Sequence, residues 1–303
     1  MERPPQRTKL DSQLPSDGAA PSQSWDEHAW EASGPTPPQR GESFGRYVML
    51  HEIGAGGMGV VFAAYDPELD RKVAVKVLSD ALGDARNRVR LQREAQTLAR
   101  VSHPNVITVH DVGSVGDRVF IAMELVDGAD LREWIAAESR SWAEILGVLV
   151  QAGQGLAAAH DAGLIHRDFK PANMLVGSDD LVRVLDFGLA RRFGATDDAA
   201  PTTTDELTTS NHSLSEALTR TGAIAGTPAY MSPEQHARAE LDAKSDQFSF
   251  CVTALEALFG ERPFEGPNRL ALMLQATQGQ HRPIPKSTAV PARIGAAILR
   301  GLD

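Results

Sequence analysis

The stretch His166-Arg-Asp168-Phe-Lys170-Pro-Ala-Asn173 decides how the rest of this sequence is read. An acid, a lysine and an asparagine lie two, four and seven residues after the histidine, and Asp186-Phe-Gly begins thirteen residues after Asn173. Carboxylate and amide oxygens are the ligands that Mg²⁺ prefers, and an acid beside a lysine can hold a hydroxyl against a phosphate. The pattern therefore indicates phosphoryl transfer, a reaction catalysed mainly by positioning and by neutralising charge.

These motifs resemble those of the eukaryotic-type protein kinases, in the serine/threonine branch, which has lysine and proline at the positions of Lys170 and Pro171. The resemblance implies that Asp168 is the catalytic base, that Lys170 contacts the γ-phosphate of ATP, and that Asn173 and Asp186 hold Mg²⁺, or Mn²⁺ in its place. It also implies an α+β, two-lobed protein kinase fold, with a small antiparallel β lobe containing one key helix and a larger, mainly α lobe.

Composition excludes several other classes of protein. The formal net charge of −10 and the pI near 5.4 argue against a nucleic-acid-binding protein, which usually carries a basic surface. The chain has neither a signal peptide nor a run of 18 apolar residues, so we expect no membrane segment within it and a cytoplasmic location. Membrane attachment through residues beyond Asp303 stays open. The single cysteine, Cys251, lies in an apolar run and is expected in the core.

The sequence divides into a tail and one domain. Residues 1–44 are rich in Pro, Ser, Gln and Gly and are expected to be disordered. Residues 45–303 form the expected kinase domain, with an N-lobe at 45–126 and a C-lobe at 127–303. The resemblance implies that this domain is incomplete at its C-terminus, because Glu234 would pair with an arginine lying beyond Arg300-Gly-Leu302.

A glycine-rich segment opens the domain. Alternating apolar residues from Tyr47 to Ile53 precede Gly54-Ala-Gly56-Gly-Met-Gly59, and Val60-Val-Phe-Ala-Ala-Tyr follows, so we predict strand, turn and strand. The competing interpretation is a dinucleotide-binding motif. That motif opens a helix and expects an acid about twenty residues on, where Ala74 stands here. In the kinase loop, glycines let backbone N–H groups approach phosphates.

The resemblance also predicts the nucleotide site. Lys76, in Val73-Ala-Val-Lys76, would bind the α- and β-phosphates and pair with Glu94 on the next helix. The alternative for Glu94 is an exposed ion pair with the arginines of its own helix. The residues assigned to nucleotide binding are Ile53, Gly54, Gly56, Gly59, Val61, Ala74, Lys76, Glu94, Met123, Glu124, Val126, Asp130 and Leu175.

The rest of the chain reads as a mainly helical lobe around the catalytic loop. Helices are predicted at about 130–137 and 142–162, with Gly163 as a C-cap signal, and a short hairpin over 175–185 should deliver Asp186. By resemblance, Asp246 lies buried on a helix and braces the catalytic loop; its alternative is an exposed N-cap.

Asp186 to Glu234 would form an activation segment. Thr219 and Thr221 are the predicted autophosphorylation sites, and Arg167 would receive the phosphate. The stretch from Gly226 to Glu234 resembles the part that cradles the substrate beside the acceptor hydroxyl.

The predicted function is transfer of the ATP γ-phosphate to serine and threonine hydroxyls of protein substrates, with autophosphorylation in signalling. Autophosphorylation in trans would involve a homodimer. The alternative is a catalytically weak or inactive truncated kinase, a pseudokinase that serves as a nucleotide-binding scaffold. A small-molecule kinase would not be expected to carry the stretch from Thr227 to Glu234.

Overall fold

The computed structural model describes residues 38–56, 59–78, 93–187, 227–285 and 288–302. Its strands are β1 Ser43–Phe44, β2 Tyr47–Gly56, β3 Gly59–Asp66, β4 Arg71–Leu78, β5 Val109–Val115, β6 Arg118–Glu124, β7 Gly128–Asp130, β8 Met174–Gly177 and β9 Val182–Val184. Its helices are α1, residues 93–98, α2 Leu131–Ala137, α3 Trp142–Asp161, α4 Pro233–Ala237, α5 Ala243–Phe259, α6 Arg269–Thr277 and α7 Ala292–Leu299. Two short 3₁₀ helices span Pro171–Asn173 and Thr227–Tyr230.

The smaller lobe is an antiparallel sheet with the strand order β1-β2-β3-β4-β6-β5, together with α1. Tyr47 and Met49 of β2 are fully buried, whereas Val48 between them is not. This period of two places one face of the strand on a core. Phe120 of β6 packs edge-on against Phe44 and Tyr47, with ring centroids 6.0 and 5.6 Å apart, and joins β1 to that core.

The glycine-rich segment connects β2 to β3 as a hairpin in which Gly56 lies opposite Gly59. This confirms the strand–turn–strand prediction and excludes the dinucleotide-binding motif, whose glycines open a helix. Gly59 has a φ of 142°, and a Cβ atom there would lie 2.1 Å from the carbonyl oxygen of Val77. Glycine is therefore required at position 59 by the sheet itself.

The larger lobe is mainly helical, as the sequence predicted. Helices α2 and α3 begin at capping boxes, in which Asp130 and Ser141 accept hydrogen bonds from backbone N–H groups of the first turn. Helix α3 ends just before Gly163, whose φ is 76° and whose N–H donates to the carbonyl of His160 at 2.9 Å. The predicted C-cap is therefore confirmed.

A second, small sheet of order β7-β8-β9 lies beside the catalytic loop. Strands β8 and β9 form the predicted short hairpin, and Asp186 lies two residues after the end of β9. The backbone of Val184 bonds Asn105 at 3.0 Å and Ile107 at 3.1 Å, which attaches this hairpin to the segment before β5. The end of β9 is thereby held next to the smaller lobe.

One boundary predicted from the sequence is wrong. Strand β1 falls within residues 1–44, which were expected to be disordered, and Phe44 is buried against Phe120. A strand of two residues shows no alternation, so the sequence carried no signal for it. Residues 1–37 lie outside the described part of the chain.

The hydrophobic core is continuous between the two lobes. It includes Ala74 and Met123 of the smaller lobe and Leu149 of the larger one. Cys251 is buried, as predicted, and burial raises the pKa of its thiol to about 11. Among the helices that the structure describes, none has the length and apolar character to cross a bilayer.

Candidate active site

The catalytic loop brings together the three residues that the sequence assigned to catalysis. The ammonium of Lys170 lies 2.7 Å from Oδ2 of Asp168, and Nδ2 of Asn173 donates to the backbone carbonyl of Asp168 at 2.7 Å. Asp168 and Asn173 are 9% and 6% exposed, so both side chains are held by packing as well as by hydrogen bonds. Because Asn173 donates through its nitrogen, its amide oxygen is left as an acceptor.

One buried carboxylate on α5 holds the backbone of the catalytic loop. Asp246 accepts hydrogen bonds from the backbone N–H groups of His166 at 2.7 Å and Arg167 at 2.8 Å, and lies 2.8 Å from Nε2 of His160. Arg167 itself has a φ of 67°, a conformation that L-residues adopt rarely. The prediction that Asp246 braces the loop is confirmed, and its alternative as an exposed N-cap is wrong because Asp242 caps α5.

The ring of His166 is fully buried between Phe169 and Phe187, with centroids 5.5 and 4.8 Å away. Its Nδ1 accepts a hydrogen bond from the N–H of Asp168 at 3.2 Å. Burial lowers the pKa of His166, and the nearby Asp246 opposes that shift only in part. The neutral imidazole that results suits an acceptor that orients the backbone of Asp168.

Lys76 and Glu94 are not paired with each other, so that sequence prediction is wrong for this structure. The ammonium of Lys76 lies 2.7 Å from both carboxylate oxygens of Asp186, and Glu94 instead accepts from Arg167 at 3.1 Å. The cations of Lys76 and Arg167 lie near the carboxylates of Asp186 and Glu94. Sequence spacing does not predict which of these oppositely charged groups pair. Lys76 pairs with Asp186 through two short charge-assisted hydrogen bonds.

The contact with Lys76 changes the pKa of the Asp186 carboxyl group. Burial alone would raise its pKa, but the charge and hydrogen bonds of Lys76 outweigh burial, and the pKa is lowered. Asp186 also has a φ of 58°, so its backbone is in the left-handed region. Its carboxylate is therefore ionised and aimed at Lys76.

Strand register places four of the predicted nucleotide-binding residues on one face of the smaller lobe's sheet. Ala74 and Lys76 are two residues apart on β4; Val61 lies opposite Lys76, and Met123 lies opposite Ala74. Residues directly opposite one another or two apart on a strand share a face. Val61, Ala74 and Met123 thus form an apolar patch next to the Lys76 ammonium.

The connection between the lobes supplies backbone groups beside this patch. The N–H of Glu124 donates to the carbonyl of Thr108 at 2.9 Å, and the side chain of Glu124 accepts from the N–H of Thr108 at 2.9 Å. Among the described residues, no acceptor is present for the N–H of Val126.

The remaining predicted residues frame the opening of the cleft. Leu175 of β8 lies opposite Asp130, whose Oδ1 caps α2 by accepting from backbone N–H groups at 2.8 and 2.9 Å. Ile53 is 47% exposed on β2. A Cβ atom at Gly54 or Gly56 would meet nothing within 4 Å, so no neighbouring protein atom requires glycine at either position.

Several contacts near the stretch expected to cradle the substrate were not predicted from the sequence. The hydroxyl of Tyr230 lies 2.5 Å from Glu256, and Arg132 bonds both residues. Burial, followed by Glu256, raises the pKa of Tyr230, so its hydroxyl stays protonated. Nε2 of Gln235 donates to the carbonyl of Arg167 at 2.6 Å and ties α4 to the catalytic loop. No local pattern links residues separated by so much sequence.

Glu234 corrects another expectation. The resemblance implied an arginine partner beyond Leu302 for Glu234; in the structure Glu234 is half-buried and accepts a hydrogen bond from the hydroxyl of Ser245 at 2.5 Å. Thr219 and Thr221 lie outside the described residues.

Comparison with known proteins agrees with this geometry. The model of the protein kinase domain family matches residues 47–293. Serine/threonine-protein kinase pkn3 of Myxococcus xanthus is 39% identical over 266 residues, which make up 84% of this chain and 45% of that protein. PknE of Mycobacterium tuberculosis, also a serine/threonine-protein kinase, is 32% identical over 266 residues, or 87% of this chain and 44% of that protein.

A solved structure shows the same fold. The crystal structure of the M. tuberculosis PknI kinase domain has a TM-score of 0.63 and 28% identity, covering 88% of this chain and 91% of that one. The chain spans less than half the length of the curated relatives described above. With most of its length matched and its catalytic loop in place, this chain belongs to the protein kinase domain family.

Proposed function

We propose that this chain transfers the γ-phosphate of ATP to serine and threonine hydroxyls of proteins. The observation that carries the proposal is the pairing of Asp168 with Lys170 at 2.7 Å, on a loop that Asn173 and Asp246 hold in place. In this arrangement Asp168 can orient a hydroxyl and take its proton, while Lys170 meets the negative charge of the phosphate.

The nucleotide would lie on the apolar patch of Val61, Ala74 and Met123, with adenine bonded by the Val126 N–H. Lys76 would exchange Asp186 for the α- and β-phosphates. Ile53 and the glycines at 54 and 56 would cover the phosphates, and Asp130 would accept from the ribose hydroxyls.

Asp186 and Asn173 are fit to hold Mg²⁺ because both offer hard oxygen ligands. When bound, the metal would neutralise charge on the phosphates. The described residues contain no group of three or more His, Cys, Asp or Glu side chains that could hold a metal ion. We propose that the nucleotide phosphates and water would complete the coordination of the metal.

Phosphorylation of Thr219 or Thr221 would supply a dianionic partner for Arg167, in competition with Glu94. Glu94 would then be released for Lys76. The reaction in trans requires a second copy of the chain, and we place it in the cytoplasm, where ATP and protein substrates are available.

The inactive scaffold is less well supported. That alternative rested on the cost of leaving Glu234 buried and unpaired, and Ser245 provides it with a hydrogen bond. Lys76, Asp168, Asn173 and Asp186 are all present.

The test is incorporation of labelled phosphate from ATP and Mg²⁺ by the purified chain and its Asp168→Asn variant. We expect the variant to bind ATP with little change but to lose transfer by about 10²-fold or more, because an amide cannot act as the base. Asp161→Asn, an exposed change at the end of α3, is the control. Mass spectrometry should locate phosphate on Thr219 or Thr221. Equal incorporation by Asp168→Asn would refute the role of Asp168, and a folded wild-type chain that binds ATP without transfer would favour the scaffold.

A further inference from the structure

A pocket of about 590 Å³ lies in the larger lobe beside the 3₁₀ helix Thr227–Tyr230. Ala229 forms one side, and the loop after α5, helix α6 and the segment after α6 form the others. Phe264 and Leu272, which are 2% and 4% exposed, give it an apolar base. It is separate from the nucleotide cleft.

Arg262 lines this pocket and has no hydrogen bond or ion pair with any other residue that the structure describes, although it is half-buried. Its neighbour Arg282 differs, because Glu265 and Glu261 bind it at 2.5 and 3.4 Å. The carboxylates at the rim are therefore already committed to Arg282. Among the described residues no carboxylate lies within ion-pair distance of Arg262, and the group that it influences electrostatically is the protonated hydroxyl of Tyr230.

A second donor faces the same space. The side-chain oxygen of Gln275 accepts from the backbone N–H of Glu265 at 3.0 Å. This bond leaves the amide nitrogen of Gln275, another residue of the pocket lining, to donate to a ligand. A guanidinium and an amide nitrogen above an apolar base match a carboxylate on a short aliphatic stem.

The pocket adjoins the predicted path of the substrate. Ala229 belongs to the stretch from Gly226 to Glu234, which by resemblance cradles the substrate next to its acceptor hydroxyl. The described part of that stretch is held at its middle, where Ser249 donates to the carbonyl of Tyr230 at 2.8 Å, and just after its end, where Gln235 bonds the catalytic loop at 2.6 Å. A polypeptide lying along it would pass the mouth of the pocket.

We propose that this pocket binds an aspartate or glutamate side chain of the protein substrate, a few residues from the acceptor, and that Arg262 recognises its carboxylate. The proposal rests on the proposed protein kinase activity and adds a rule of substrate choice to it. Charge complementarity supports it, because Arg262 has no ion pair with any carboxylate in the part of the chain that the structure describes.

The test uses peptides with one serine or threonine acceptor, in which each flanking position is set in turn to Glu, Gln or Lys. For the wild-type chain, kcat/KM should be about tenfold higher for Glu than for Gln at one or two positions, as expected for one charge-assisted contact. In Arg262→Gln that ratio should fall to about one. In Arg262→Glu the preference should turn towards Lys.

Arg293→Gln, an exposed change on α7, should keep the wild-type ratio. Anisotropy of labelled Glu and Gln peptides on the Asp168→Asn chain measures binding without transfer, so the pocket remains testable even if the chain proves inactive. Equal binding and equal kcat/KM of Glu and Gln peptides at every position, or a Glu preference that survives Arg262→Gln, would overturn the proposal. Arg262→Lys keeps the positive charge and controls for misfolding in the other two variants. It should retain part of the preference for Glu over Gln peptides.

Discussion

Side chains of one chemical type take different roles in this cleft because their neighbours differ. Asp168 is held by Lys170 on the catalytic loop, whereas Asp186 is bonded through both oxygens to Lys76 of the smaller lobe. Arg167 and Asp186 both have positive φ values. Rare backbone conformations of this kind persist where the surrounding contacts determine them, and they are frequent at functional sites.

The Lys76–Asp186 pair can be tested by its effect on stability. We expect Lys76→Met to lower the free energy of unfolding at pH 7 by about 2–3 kcal/mol, because it leaves a largely buried carboxylate without its cation. Transfer should also be lost. Urea denaturation measures the first effect and labelled phosphate incorporation the second.

A double-mutant cycle identifies the cause. Asp186→Asn should also destabilise the chain, but Lys76→Met combined with Asp186→Asn should cost less than the sum of the two. Lys72→Met, an exposed change on the same strand, should alter stability by no more than about 0.5 kcal/mol. Additive losses in the cycle would show that the pair does not form in solution.

The glycine-rich hairpin shows how one element serves two purposes. Gly59 is required by the sheet, whereas a Cβ atom at Gly54 or Gly56 would meet nothing within 4 Å, and we propose that this space lets a phosphate approach the backbone. We expect Gly59→Ala to destabilise the chain by about 1–3 kcal/mol or more, from backbone strain and the close carbonyl of Val77. Gly54→Ala should leave stability within about 0.5 kcal/mol but weaken ATP binding. Urea unfolding and calorimetric titration with ATP separate the two effects; a fully stable Gly59→Ala variant would mean that the hairpin differs from the one described.

Helix α5 positions the catalytic loop through a single carboxylate. Replacing Asp246 by Asn leaves one oxygen where two accept backbone N–H bonds, so we expect a loss of about 2–4 kcal/mol. In Asp246→Asn, hydrogen exchange at the backbone amides of His166 and Arg167 should accelerate more than exchange at the other amides of the chain does on average. Asp242→Asn on the same helix is the matched control, since asparagine is an equally good N-cap. Unchanged protection of both amides in Asp246→Asn would contradict the brace.

The stability of the whole molecule should depend on pH through its buried histidines. Burial is the first cause of a lowered pKa at His110, His166 and His236. Each therefore takes up its proton less readily when folded than when unfolded. Below the unfolded value near 6.5, the unfolded chain binds more protons, so the free energy of unfolding should fall as pH falls from 7.5 to 5.5.

His236 on α4 offers the cleanest check of this dependence because it is not one of the residues assigned to catalysis or nucleotide binding. Its Nδ1 has no hydrogen-bond partner among the described residues, and Arg269 also lowers its pKa. His236→Gln should make thermal unfolding less dependent on pH over this range. His51→Gln, at an exposed position on β2, should keep the wild-type dependence. Identical pH dependence in His236→Gln and wild type would rule out this contribution.

By itself the sequence determined the family and most of the strands and helices, and it predicted the catalytic residues. These depend on short-range patterns: one eight-residue motif, alternation along strands, and caps at helix ends. The tertiary structure alone decided that Lys76 bonds Asp186, that Glu94 bonds Arg167, and that Arg262 faces a pocket. Lys76 and Asp186 are 110 residues apart, and several charges of each sign meet where they meet. Which charges pair depends on distance and burial in the folded chain, and sequence spacing records neither.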